Sequence, residues 1–176
     1  FTPLPTDVFK RYHDVTVCAD VMHVNGVMFM VSIDRSIRLG TIVEIANKSQ
    51  KTLVKAMRVI VGIYKRAGFE VKHVLTDGAF ECLRDDLRSM GINLNTTARD
   101  EHVGEIERYI RTVKERMRAD HSQLPLERIS ARIVIEMGKR AVFWLNAFPA
   151  ANGISETLSP HVIVDGTAMD FVKHCN

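Results

Sequence analysis

The chain has little cysteine. Its 176 residues include three, Cys18, Cys82 and Cys175, far apart and in no CxxC pair. That excludes a disulfide framework and a cysteine-rich zinc cluster, and it fits a reducing compartment. No apolar run approaches the roughly 18 residues of a membrane-spanning helix, and there is no secretory signal, so no membrane role is expected. Internal repeats and low-complexity linkers are lacking, which leaves one domain of ordinary size with room for a real core. Net charge is only +3, a weak pointer to an anionic partner, so the distribution of charge matters more than its sum. The first residue is Phe1 rather than Met, and the chain reads as a piece excised from something longer.

What is present is periodicity. DVTVCADVMHV (14–24) alternates and is valine-rich, so it reads as a strand; VNG (24–26) is a hairpin turn; VMFMVSI (27–33) and RLGTIVEIA (38–46) read as two more strands. Ser49 is a plausible N-cap for a helix that buries Leu53, Met57, Ile60, Val61 and Tyr64 and ends near Gly68. EVKHVL (70–75) is a fourth strand, residues 79–90 a short helix closed by Gly91, and INLNTT (92–97) a fifth strand. A helix follows from about 103, and a last long one from roughly 126 to 147. Strands and helices in this order predict an α/β domain with a mixed sheet.

The helix HVGEIERYIRTVKERMR (102–118) opens with two glutamates one residue apart. At about 100° per residue, Arg111, Lys114 and Arg118 lie within about 40° of Glu107, while Glu105 lies about 160° away. Val103, Ile106, Ile110, Val113 and Met117 form the apolar stripe between. Glu107 therefore heads a line of cations beside the core, and Glu105 is expected to do a different job. Asp20 is an acid inside a valine-rich strand, a costly placement unless partnered. Asp77 follows the fourth strand in LTDG, where Gly78 permits a sharp turn. If the first and fourth strands are neighbours, Asp20, Asp77 and Glu107 converge as an all-oxygen cluster suited to two Mg²⁺ or Mn²⁺ ions about 3.5–4 Å apart. Each acid also has an ordinary reading: Asp77 as a turn former, and Glu107 as the i,i+4 partner of Arg111. Asp14 and Asp34 compete with Asp20, Asp34 standing where the second strand ends and could meet Arg35 or Arg38.

At these residues the chain resembles the catalytic core of a copia-type retrotransposon integrase, of the DDE recombinase group with an RNase H-like fold. That family shows Asp in its first strand, then xxFIDxxSR, (S/T)-D-N-G-x-E-F, G-I and N-G-V-x-E-R. The corresponding stretches here are Asp20, FMVSIDRSIR (29–38), TDGAFE (76–81), GI (91–92) and VGEIER (103–108). WLNAFPAANGISETLSPHVIVDG (144–166) resembles the family's stretch that leaves the core, so the resemblance runs from about 14 to 166. The chain departs from the pattern in two places. Gly78 follows Asp77 directly where the family has Asn, and the interval to Glu107 is short, with the loop before it reading ARDEHVG (98–104).

The resemblance implies a mixed five-stranded sheet with helices on both faces. It implies a catalytic core over 14–148, an N-terminal extension over 1–13 and a C-terminal one over 149–176. It implies 3′-end processing and strand transfer of element DNA into target DNA, with Asp20, Asp77 and Glu107 as catalytic and metal-binding carboxylates. DNA ends and target DNA would be partners, in a homo-oligomer, with a nuclear location after a cytoplasmic particle stage. Arg111, Lys114 and Arg118 extend from the acids as a phosphate track. A second basic face, Lys51, Lys55 and Arg58, lies in a stretch free of acids from Ile45 to Phe69 and reads as a solvated surface or a DNA backbone contact. The last helix carries Ile133, Met137, Val142 and Trp144 for core or interface. Two other functions fit the same residues: an RNase H-like nuclease that stops at hydrolysis, and a decayed or domesticated module that binds DNA or protein without catalysis.

Overall fold

The computed structural model describes residues 6–96, 104–126 and 128–167. Strand β1 (Asp14–Val24) is central in a five-stranded sheet of order β3-β2-β1-β4-β5. It pairs antiparallel with β2 (Val27–Asp34), which pairs antiparallel with β3 (Gly40–Ile45). On its other side it pairs parallel with β4 (Glu70–Thr76), which pairs parallel with β5 (Asn93–Thr96). The hairpin between β1 and β2 has two residues, Asn25 and Gly26, both with positive φ, so only a side chain tolerant of that region fits each position.

Both faces of β1 are covered. Val15, Val17 and Ala19 join Met30, Leu53, Met57, Ile60 and Tyr64 in one core, under helix α2 (Gln50–Arg66). Cys18, Met22, Phe29 and Val31 join the other core, under helices α4 (Gly104–Ser122) and α5 (Ala131–Ala147). Alternation along β1 thus feeds two cores in turn, which is why its apolar residues run nearly unbroken. Ser49 caps α2, its hydroxyl accepting from the Thr52 N–H as the sequence predicts. Among the described residues no helix is long and apolar enough to cross a membrane.

Three boundaries differ from the sequence reading, each for a local reason. β3 begins at Gly40 because residues 35–39 wrap around Asp34, whose carboxylate accepts from the N–H groups of Ser36, Ile37 and Arg38, with Arg38 at φ 66. The segment after Asp77 is a 3₁₀ turn (Gly78–Leu83) and then α3 (Arg84–Ser89). α5 starts at Ala131, not near 126, because Ser130 supplies the cap to the Ile133 N–H.

Two short helices were not predicted. α1 (Thr6–Tyr12) lays Phe9 against Phe69. α6 (Pro160–Asp165) has Ser159 as its cap, Pro160 in its first turn and Gly166 in the left-handed region after it. Its Ile163 is buried, so the segment expected to leave the core packs back onto it.

Candidate metal and nucleic-acid site

Cys18 on β1 lies level with Leu75 on β4, and the two strands run parallel. Two residues further along each chain come Asp20, still within β1, and Asp77, just past the end of β4. Asp20 shares its face of β1 with Cys18 and Met22, the face beneath α4. α4 runs along β1 in the same direction: Glu105 in its first turn reaches Cys18, and Lys114 and Arg118 further along line a cavity with the hairpin residues His23 to Asn25. Glu107 lies in that same first turn, close enough for its charge to act on Asp20.

The electrostatics report the same convergence. Asp20 is half-buried, and its carboxyl is held above the usual carboxylate range. Burial is the largest cause, and the negative charges of Asp77 and Glu107 add to it. The N–H of Val21, bonded to Asp20 Oδ1 at 2.6 Å, and the nearby Lys48 ammonium act in the opposite sense. Asp77 Oδ1 also accepts from the Ala79 N–H at 3.0 Å and so caps the 3₁₀ turn. The turn-former role and a place beside Asp20 coexist in one side chain.

The acids are gathered but not clustered at ligand distance. Among the described residues, the one trio whose ligand atoms all lie within 4.8 Å of one another is His13, Asp14 and Glu70. That trio sits where β1 and β4 begin, with Asp14 paired to Glu70, about 20 Å along β1 from Asp20. The Lys72 ammonium is already ion-paired with Glu70 there.

Glu105 has a role that the sequence reading missed. Its Oε2 accepts from Arg35 Nε at 2.6 Å and from the buried Cys18 thiol at 3.3 Å, and Arg38 lies at 4.0 Å from its other oxygen. Burial acts to raise its proton affinity, but the bonds from Arg35 and Cys18 outweigh it and hold the carboxyl below its ordinary range. Burial, with the Glu105 carboxylate beside it, pushes the Cys18 thiol up to about 12. Glu105 thus pins the first turn of α4, which also carries Glu107, to β1 and to the end of β2. Lys48 was also missed as a site residue; its nearness to Asp20 depends on where the β3–α2 loop returns.

Arg111 and Arg118 are exposed and Lys114 half-buried on the outer side of α4. Lys114 and Arg118 line a cavity of about 390 Å³ beside the hairpin. Lys51, Lys55 and Arg58 are exposed on α2 and line a shallow groove of about 710 Å³ with Asp86. α2 and α4 cover opposite faces of the sheet, so the two basic tracks are separate surfaces. Val103 and most of the loop 98–104 lie outside the described residues.

The architecture defines a class: an α/β domain of RNase H-like fold, with a mixed five-stranded sheet and helices on both faces. A solved member of that class is the catalytic core domain of BIV integrase in crystal form I. It superposes with a TM-score of 0.63 at 16% identity, over 93% of this chain and 97% of that one. No family model and no curated protein matches the chain.

Proposed function

We propose that this chain is the catalytic core of a retrotransposon integrase, a polynucleotidyl transferase that uses divalent metal. The observation that supports the reading is that the charges of Asp77 and Glu107, from separate parts of the chain, both act with burial to raise the Asp20 carboxyl. A site that crowds negative charge has a use for a cation, and an all-oxygen donor set fits Mg²⁺ or Mn²⁺. When bound, the metal supplies charge for a water or 3′-hydroxyl nucleophile and for the leaving oxygen. The chain itself supplies the rest. Asp20 on β1 and Asp77 just past the neighbouring β4 hold the site, Glu107 closes it from α4, and Glu105 fixes the helix turn that carries Glu107. Arg111, Lys114 and Arg118 bind phosphates of the DNA led into the site. The neighbour's printed name supports this reading through shared fold. Joining element ends to target DNA calls for at least two such cores, so a homo-oligomer acting in the nucleus, after a cytoplasmic particle stage, belongs to the same proposal.

The test is strand transfer on a donor duplex with Mg²⁺ or Mn²⁺, with thermal stabilisation by each metal measured in parallel. The expected result is activity and a metal-dependent rise in Tm, both lost in Asp20→Asn. Hydrolysis without strand transfer would leave a nuclease of this fold. A second reading, a DNA-binding module without catalysis, is favoured by the spacing of the three carboxylates, which exceeds that of the His13, Asp14 and Glu70 trio. Metal stabilisation that disappears in Asp20→Asn would argue against it.

A further inference from the structure

The cavity between the β1–β2 hairpin and α4 has two kinds of wall. Its rim is cationic or polar: Lys114 and Arg118 from α4, His121 one turn on, and His23 and Asn25 from the hairpin. Its floor is apolar and buried, built from Met117, Val134 and Met137. None of the described residues that line it is acidic.

The floor residues belong to the core under α4 and α5, so the cavity is an opening onto that core beneath a cationic rim, which a plain phosphate track does not need. A cavity of about 390 Å³ is within the range of small-ligand pockets, of order 300–1,000 Å³, and far too small for a duplex. A single unstacked nucleotide meets each wall with matching chemistry. Its base has two apolar faces for the floor, where methionine thioethers pack well against aromatic rings. The base edge finds donors and acceptors in Asn25, His23 and His121. The phosphate finds Lys114 and Arg118.

Position gives a second argument. Along α4, Lys114 and Arg118 lie about 10 and 16 Å beyond Glu107. At 3.4 Å per stacked step, that is about three to five nucleotides from the acids. A strand led from Asp20 and Glu107 along the outer side of α4 reaches the cavity within that length. We infer that the cavity is a binding site for one unstacked nucleotide of a DNA strand whose scissile phosphate lies at the acids. This rests on the proposed DNA-processing role, and it adds a base-sized pocket to what was a line of phosphate contacts.

The experiment uses the whole chain with ¹³C-methyl methionine and three probes without metal: deoxyadenosine 5′-monophosphate, deoxyadenosine and inorganic phosphate. The nucleotide should shift the Met117 and Met137 methyl signals and bind at least about fivefold more tightly than either fragment. Arg118→Ala should weaken the nucleotide by about fivefold, and Ile129→Trp, which places a ring at the half-buried rim, should block it. Equal affinity for phosphate and nucleotide would show an anion site only and overturn the proposal. So would unshifted Met117 and Met137 signals at saturating nucleotide. The two readings fail separately. Metal-dependent strand transfer without nucleotide binding overturns the pocket alone; nucleotide binding without metal-dependent chemistry overturns the catalytic reading alone.

Discussion

Asp34→Asn should make the protein more stable at neutral pH, and the gain should vanish in acid. Asp34 is fully buried at the end of β2. Its Oδ1 accepts from the backbone N–H groups of Ser36, Ile37 and Arg38, while its Oδ2 is buried with no hydrogen-bond partner among the described residues. Burial raises the carboxyl from 3.8 to about 6, and the three N–H bonds and the Arg38 charge offset only part of that. Because the folded form holds its proton more tightly than the unfolded chain does, this group's contribution is fully present below about pH 4. It is lost as pH rises through about 6. A shift of about 2 units corresponds to about 3 kcal/mol lost across that window. Asparagine keeps the oxygen that caps the 35–39 loop and removes the charge. Urea unfolding of both proteins from pH 3.5 to 8 isolates the effect as a difference curve, near zero at about pH 4 and rising to as much as about 3 kcal/mol above pH 6. Asp34→Ala should instead be destabilising at every pH, since three buried N–H groups lose their acceptor. A difference curve for Asp34→Asn that is flat across the window, or negative at pH 7, would refute the argument that the buried charge is the cost.

Glu105→Ala should destabilise the fold by about 1–2 kcal/mol in urea unfolding, because Arg35 loses its partner and the Cys18 thiol its acceptor. Glu107→Gln, at an exposed position, should change stability by less than about 0.5 kcal/mol while removing metal-dependent activity; a large stability loss would give Glu107 a structural role instead. Gly40→Ala should cost more than about 2 kcal/mol, since a Cβ there would lie 1.7 Å from the Tyr109 hydroxyl oxygen, whereas Tyr109→Phe removes a buried hydroxyl with no hydrogen-bond partner among the described residues and should be neutral or stabilising. Changing both Arg111 and Lys114 to alanine should weaken binding to any DNA sequence and lower the slope of log affinity against log salt by roughly 1 to 2 units; an unchanged slope would remove this face of α4 from the DNA path.

Much of the domain was legible along the chain because its elements declare themselves locally. Alternation marked β1, Asn25-Gly26 marked the hairpin, and Ser49 marked the start of α2 within a residue. The helical turn angle separated Glu105 from Glu107, and the side chains do go to different places: one to Arg35 and Cys18, the other to the exposed side near Asp20. What the separation could not tell was what Glu105 does. Its partners are 70 and 87 residues away in sequence, and no period within a helix encodes such distances. The same holds for the Asn146 amide that brackets the Gly40 backbone from 106 residues away. It holds as well for the cavity that Lys114 and Arg118 share with the hairpin. Local sequence determined which segments are strands and helices, because propensity, caps and hydrophobic period act over a few residues. Tertiary structure alone decided that Glu105 pins α4 to β1, and that the two basic tracks lie on opposite faces. Those outcomes depend on strand order and on which side of the sheet each crossover helix packs, and contacts between distant segments set both.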